Sequence, residues 1–353
     1  MSGKKELRFS LTALLAVTAV LCAAAIFFRS ENPAPSALAR EDFSPDPAGT
    51  PAVFEFPSRL RVATYNLCRY RDDNRFSEKG EFLYKYPKPE KEKTALMRTV
   101  LEVRPDVLAV QEIGGNAWLD EFADALGRAG LPFPYRALLE GRDKYNRIAV
   151  LSRVPFSKTV KIAAPAKLTR GLLGVVIPLA GGESLYVYNV HLKSKVSSDP
   201  DDPESTRRRS REARFVRRLI DFRVEDEKKA EKIPSSVRFR VPASLKKNPP
   251  KYFVLVGDFN DVPGSAPLSA FEALSFARAL PARDGNGGAN TFFNPYRGYF
   301  FTFDRIFVSP AVFRTAYVQE SAKIADFPWA RAASDHSLVY ADFDFSGTRR
   351  REK

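Results

Sequence analysis

From residue 60 onward, short apolar runs rich in Val, Ile, Leu and Tyr alternate with longer stretches of helical periodicity, and several runs stop at Gly, Pro, Asn or Asp. Runs of that length and composition read as buried strands. They cover 60–65, 107–110, 147–151, 173–179, 185–191, 252–257, 305–308 and 337–343. Apolar residues at helical spacing cover 90–102, 116–129, 205–222 and 266–278. This order predicts an α/β fold of mixed β-sheets flanked by helices, with room for two sheets packed on each other. There is no internal repeat and no second independent core, so 60–345 reads as one domain.

Upstream lies a different kind of sequence. Residues 9–28 carry no charge and are mainly Leu, Ala, Val and Phe, about the 20 residues that a helix needs to cross a bilayer. Lys4, Lys5 and Arg8 precede the run and would keep the amino end on the cytoplasmic side. Segment 1–29 is therefore expected to be a transmembrane anchor or signal helix, and 30–59, rich in Pro, Ala, Ser and Asp, an extended linker. The expected location is the cytoplasmic membrane, crossed once, with the domain outside the cytoplasm (periplasmic or extracellular). Ala37-Leu38-Ala39 offers a cleavage site and hence the alternative of a secreted form. Cys22 follows Leu21, where lipidation would want a small residue. Cys68 is the one other cysteine, so packing alone must hold the domain together.

The formal net charge is +14. Such an excess favours phosphate-rich partners, nucleic acid or anionic lipid. Between residues 207 and 251 stand 16 Lys or Arg against 6 Asp or Glu, most of the chain's excess. The first part of that stretch can form a helix with Phe215, Leu219 and Phe222 on one face, and the second, through Pro234, Pro242, Pro249 and Pro250, reads as a loop.

The strand ends carry the chemistry. They read Thr64-Tyr65-Asn66, Gln111-Glu112, Asn189-Val190-His191-Leu192, Gly257-Asp258-Phe259-Asn260-Asp261, Asp304-Arg305 and Ser334-Asp335-His336. A rigid sheet can bring such termini to one site. Carboxylates and an amide are hard oxygen ligands suited to Mg²⁺ or Mn²⁺, and two histidines are too few for a typical catalytic zinc. Asp258 and Asn260 stand two apart, on one side of an extended chain. Both histidines of the chain, His191 and His336, fall in these clusters, where imidazole can donate to a developing oxyanion or leaving oxygen. Each cluster alone is no more than a turn or a cap; six in one chain are hard to explain that way.

This ordered set resembles the endonuclease/exonuclease/phosphatase family, over about residues 61–343. The resemblance implies a four-layer α/β/β/α sandwich with the site at one edge. It implies that Glu112 binds the metal with Asn66 nearby and Asp335 completing the shell. Asp258 would align the attacking water, Asn260 hold the phosphate, and His336, oriented by Asp304, serve as acid/base or transition-state donor. His191 would touch a phosphate oxygen. Arg170 is a candidate phosphate contact, and Arg207, Arg208 and Arg209 are candidate substrate contacts at a helix start. Two departures stand out. The segment between His191 and Asp258 is long, and no residue of Tyr145-Asn146-Arg147 maps onto the family's middle motif.

The activity expected is metal-dependent phosphodiester hydrolysis, with nucleic acid as substrate. Tyr296, Tyr299, Phe300 and Phe301 could stack bases or belong to the core. A phospholipid or sphingomyelin phosphodiesterase is the alternative, since the anchor would hold the site near lipid. A non-catalytic binding module is disfavoured because every expected catalytic residue type is present. No obligate protein partner is inferred.

Overall fold

The computed structural model describes residues 56–77, 79–233, 245–294 and 297–348. The expected anchor, most of the linker, the prolines Pro234 and Pro242, and Tyr296 lie outside these residues. Among the described residues no helix is long and apolar enough to cross a membrane.

In chain order the strands are β1 (Arg59–Tyr70), β2 (Asp73–Phe76), β3 (Phe82–Tyr86), β4 (Val107–Ile113), β5 (Tyr135–Leu139), β6 (Arg147–Ser152), β7 (Lys158–Ile162) and β8 (Leu172–Pro178). They continue with β9 (Ser184–His191), β10 (Tyr252–Asp258), β11 (Arg278–Ala279), β12 (Phe292–Asn294), β13 (Tyr299–Phe301), β14 (Asp304–Val308), β15 (Lys323–Ile324) and β16 (Val339–Asp344). The longer helices are α1 (Glu90–Val103), α2 (Asn116–Arg128) and α3 (Thr206–Asp221).

Two six-stranded mixed sheets form the body, ordered β15-β16-β1-β4-β6-β5 and β11-β14-β10-β9-β8-β7. Their packing follows from the two-residue period of a strand. In β1, Leu60 and Val62 face the layer between the sheets, whereas Ala63, Tyr65 and Leu67 face outward under Leu96, Val100 and Phe122 of α1 and α2. In β10, Tyr252, Val254 and Val256 join the inter-sheet layer, whereas Phe253 and Leu255 pack outward with Val216 and Leu219 of α3. Three apolar cores between four layers result, which is the expected sandwich.

The expected helix over 266–278 is replaced by one 3₁₀ turn, Leu268–Ala270, and irregular chain. Long-range contacts override the local pattern there. Arg278–Ala279 pairs with Val308 and Phe307 at the sheet edge, which forces extended backbone, and Phe271 and Phe276 turn in on Phe253, Phe259 and Phe307. The edge strands β5 and β7 and the β2–β3 hairpin carry too little continuous apolar sequence to announce themselves.

Candidate active site

At one end of the sandwich the apolar inter-sheet rows turn polar. Continuing each row by two residues gives Thr64 and Asn66 on β1, Gln111 on β4, Asn189 and His191 on β9, Asp258 on β10 and Asp304 at the start of β14. All are buried. Gln111 Nε2 donates to Thr64 Oγ1 (3.0 Å) and Asn189 Oδ1 (2.8 Å), and Asn189 Nδ2 donates to the carbonyls of Val110 and Ala149 (3.0 and 2.9 Å). This bridge joins the two sheets just beneath the site. Its members were visible in the strand-end motifs, but nothing in the sequence distinguishes a bridging amide from a catalytic one.

Register aligns the acids. Asp258 lies opposite His191 on parallel β9 and opposite Asp304 on antiparallel β14. Asn66 lies opposite Gln111, where β4 bulges. Glu112 takes up the irregularity in the left-handed region, at φ 59°, a conformation disfavoured for a residue with a Cβ and held there by its surroundings. Gly257 adopts φ 143°, and a Cβ there would come within 1.9 Å of the Val190 carbonyl oxygen, so only glycine allows β10 to approach β9 this closely before Asp258.

Asp258 is the hub. Its Oδ2 accepts from Asn66 Nδ2 (3.0 Å) and Asn260 Nδ2 (3.3 Å), and lies 3.3 Å from His191 Nε2 and 3.7 Å from His336 Nε2. Its Oδ1 accepts from the Asn260 amide (2.8 Å). Burial alone would raise its pKa, but His336 and His191 outweigh burial and hold it well below the carboxylate range. His336 Nδ1 lies 2.7 Å from Asp304 Oδ2 and its ring rests on Phe292. Burial opposes its charge, yet Asp304 and Asp258 push its pKa well above the ordinary histidine value. Engagement of Nδ1 by the Asp304 carboxylate leaves Nε2 as the atom facing Asp258 and the site.

Glu112 Oε1 accepts from Asn66 Nδ2 (3.3 Å) and Oε2 from the Arg69 amide (3.1 Å). Burial would raise this carboxyl, but His191, Arg170 and His336 lower it. Asn66 Oδ1 is occupied by the Cys68 amide (3.0 Å), so Asn66 turns its donor face to both acids and positions them. Asp335 is half-buried beside Ser334, whose hydroxyl donates to the Asn66 carbonyl (2.8 Å). Burial first, and then the charges of Asp335 and Glu112, push the Cys68 thiol up to about 12, so both acids lie within electrostatic reach of that loop.

The donor set suits a small hard cation. Asp258, Asp304 and His336 bring three ligand atoms within 4.8 Å of one another, but Asp304 and His336 are already bonded to each other and Asp258 is surrounded by N–H donors. Glu112 is bound only by long hydrogen bonds and, with Asp335, offers carboxylate oxygens that Mg²⁺ or Mn²⁺ prefers.

Arg170 is buried beside this cluster. Its Nε meets Asp143 Oδ2 (3.1 Å) and its Nη1 donates to the Leu192 carbonyl (2.9 Å), which also accepts from Asn260 Nδ2 (3.0 Å). Asp143 is an anchor that sequence reading passed over. Burial would raise its carboxyl, but hydrogen bonds from Asn146 and the charge of Arg170 bring it down to about 2.

The three arginines expected to contact substrate together are separated by α3. Arg207 is exposed and Arg208 half-exposed, but Arg209 is 0% exposed. Its guanidinium pairs with Asp261 Oδ2 (2.7 and 2.8 Å) and donates to the carbonyls of Lys193 and Glu204. Arg209 is a brace behind the Asn260–Asp261 loop and offers nothing to a surface ligand. Arg209→Ala is expected to cost about 3–5 kcal/mol, because Asp261 would remain buried without its main countercharge. Thermal unfolding checks this; an unchanged melting temperature with weakened substrate binding would return Arg209 to the substrate surface. Glu212, one turn further, ties the same region together by accepting from the Thr169 and Lys193 amides.

A cavity of about 620 Å³ opens beside Ser334, Asp335 and His336 and is walled by Phe292, Phe293, Phe300 and Arg331. Arg331 lies over both Phe293 and Phe300. Tyr299 and Phe300 are 59% and 44% exposed, so this aromatic run is largely surface and not core.

The endonuclease/exonuclease/phosphatase family model matches residues 63–336. No curated protein matches the chain. Among solved structures, D. rerio TDP2 humanized by 14 mutations is similar at 16% identity, over 81% of this chain and 99% of that one, with a TM-score of 0.53. An endonuclease/exonuclease/phosphatase from Beutenbergia cavernae is similar at 19% identity, over 82% and 72%, with a TM-score of 0.51. The human Nocturnin catalytic domain is similar at 16% identity, over 83% and 97%, with a TM-score of 0.51. At these identities the likeness concerns fold. The family match spans the strand-end motifs from β1 to His336, and on that match the chain belongs to the endonuclease/exonuclease/phosphatase family.

Proposed function

We propose that this protein is a metal-dependent nuclease that hydrolyses phosphodiester bonds at the Asp258–His336 cluster. Family membership implies a phosphoester hydrolase. The observation that carries the reading is the convergence of Asn66, Glu112, His191, Asp258, Asp304 and His336 from both sheets on one buried, hydrogen-bonded cluster. Asp258, kept ionised, orients a water for in-line attack on phosphorus and accepts its proton. His336, charged through Asp304, donates from Nε2 to the oxygen on which negative charge develops. His191 holds the Asp258 carboxylate through Nε2, 3.3 Å from its Oδ2. The Asn260 side-chain amide, shared with Asp258 and the Leu192 carbonyl in the free protein, is the donor a phosphate would take. Glu112 and Asp335 would hold Mg²⁺ or Mn²⁺, which when bound supplies charge stabilisation to the phosphoryl oxygens.

Nucleic acid is favoured as substrate by the +14 charge and by the aromatic walls of the cavity beside His336, which suit stacked bases. A likeness to D. rerio TDP2 complexed with single strand DNA product, at 17% identity and a TM-score of 0.51, agrees with this in fold. A phospholipid substrate has one observation of its own: Phe76, Phe82 and Tyr84 stand exposed on the β2–β3 hairpin. The test offers the full-length protein with Mg²⁺ plasmid DNA, RNA and sphingomyelin vesicles in parallel. Cleaved nucleic acid and intact lipid are expected; the reverse would replace the nuclease with the lipid phosphodiesterase.

A further inference from the structure

A second cavity, about 320 Å³, lies between the 142–167 loops and α3 and is lined by Arg142, Ala166, Lys167, Arg208, Arg211 and Phe215. Four of its six lining residues are cations. Arg142 and Arg211 are exposed and form no ion pair among the described residues. Glu212, 3.6 Å from Arg208 Nε, is turned inward and engaged by the Thr169 and Lys193 amides. Arg207, Arg211, Arg214 and Arg218 also follow one another at three- and four-residue spacing on α3, a repulsive pattern in a helix. The charge of Arg142 and Arg211 is left without an acidic partner among the described residues.

A chain of hydrogen-bonded residues links the wall of this cavity to the active site. Arg208 Nη2 lies 3.2 Å from Thr169 Oγ1; Thr169 adjoins Arg170; and Arg170 shares the Leu192 carbonyl with Asn260. Lys167 caps the carbonyls of Ala230 and Ile233 and stands behind the arginines as fixed charge. We propose that Arg142, Arg208 and Arg211 form a subsite for a backbone phosphate of a nucleic-acid strand, beyond the scissile phosphate on the Arg170 side. Guanidinium forks suit phosphate oxygens. A bilayer fits poorly, because the cavity's large apolar member, Phe215, is buried and the one exposed apolar side chain in its lining is the small Ala166. The subsite deepens the nuclease reading and rests on it for the identity of the strand.

The test is the full-length Arg142→Gln/Arg211→Gln variant, both positions exposed, checked for an unchanged melting temperature. Two readouts separate the subsite from the catalytic reading. Hydrolysis of a dinucleotide should stay within about twofold of wild type, because a dinucleotide ends before the subsite. Anisotropy of a fluorescein-labelled single strand of about 12 nucleotides, read in the His336→Gln background at several salt concentrations, should show weaker binding. The slope of log affinity against log salt should flatten by roughly 0.7 for each lost phosphate contact. Unchanged strand binding and slope would overturn the subsite, as would a loss seen only with phosphatidylserine vesicles. Wild type that binds the strand in this salt-dependent way but cuts no nucleic acid would end the nuclease reading and leave the subsite standing.

Discussion

Replacing His336 by Gln is expected to lower turnover by about 10²–10⁴-fold, the usual worth of a positioned proton donor. Nε2 of His336 faces Asp258, and its charge is maintained by Asp304 2.7 Å from Nδ1. The same geometry says that the variant will not be thermodynamically silent. Asp304, whose carboxyl burial already raises to about 6, would lose the ring that holds it ionised, so some loss of melting temperature is expected. The double variant His336→Gln/Asp304→Asn removes that unpartnered carboxyl and should recover stability without recovering rate. Steady-state kinetics on both proteins, each shown to be folded, make the check. A rate near wild type in either protein would reduce His336 to a structural residue.

Glu112→Gln should be nearly as damaging, with a loss on the order of 10²-fold or more at ordinary Mg²⁺. The substitution keeps the side-chain volume and the left-handed turn at the β4 bulge, but halves the anionic oxygen offered to a hard cation. Raising Mg²⁺ or Mn²⁺ should recover part of the activity, and excess EDTA should abolish that of the wild type. Full activity in EDTA would remove the metal from this site.

Much of the site was readable because chemistry-bearing residues stand at fixed parity with apolar ones. In β10 the sequence Tyr252-Phe253-Val254-Leu255-Val256-Gly257-Asp258 already tells which residues share a face, and Asp258 must follow Val256. Glu112 was found by motif alone. Nothing local shows that it would sit at φ 59° in a bulge, because that conformation is imposed by pairing to β1 and β6. The basic stretch was misleading for a related reason. Arg207, Arg208 and Arg209 look alike in sequence, yet helical rotation sends them to different surroundings, and only the fold supplies Asp261 to the one that turns inward.

Sequence by itself determined the eight interior strands of the two large sheets, the polar residues that close them, the two histidines and the excess of positive charge. These follow from local periodicity, which needs no knowledge of distant chain. Tertiary structure alone decided that two sheets would meet with their polar ends on one side, joining Asn66 to Asp258 across 192 residues of chain. It also decided that Arg209 would be a brace while Arg142, Arg208 and Arg211 would line one cavity. The physical reason is the range of the forces involved: side-chain alternation is set within a few residues, whereas strand register and charge burial depend on partners that only a complete packed core brings together.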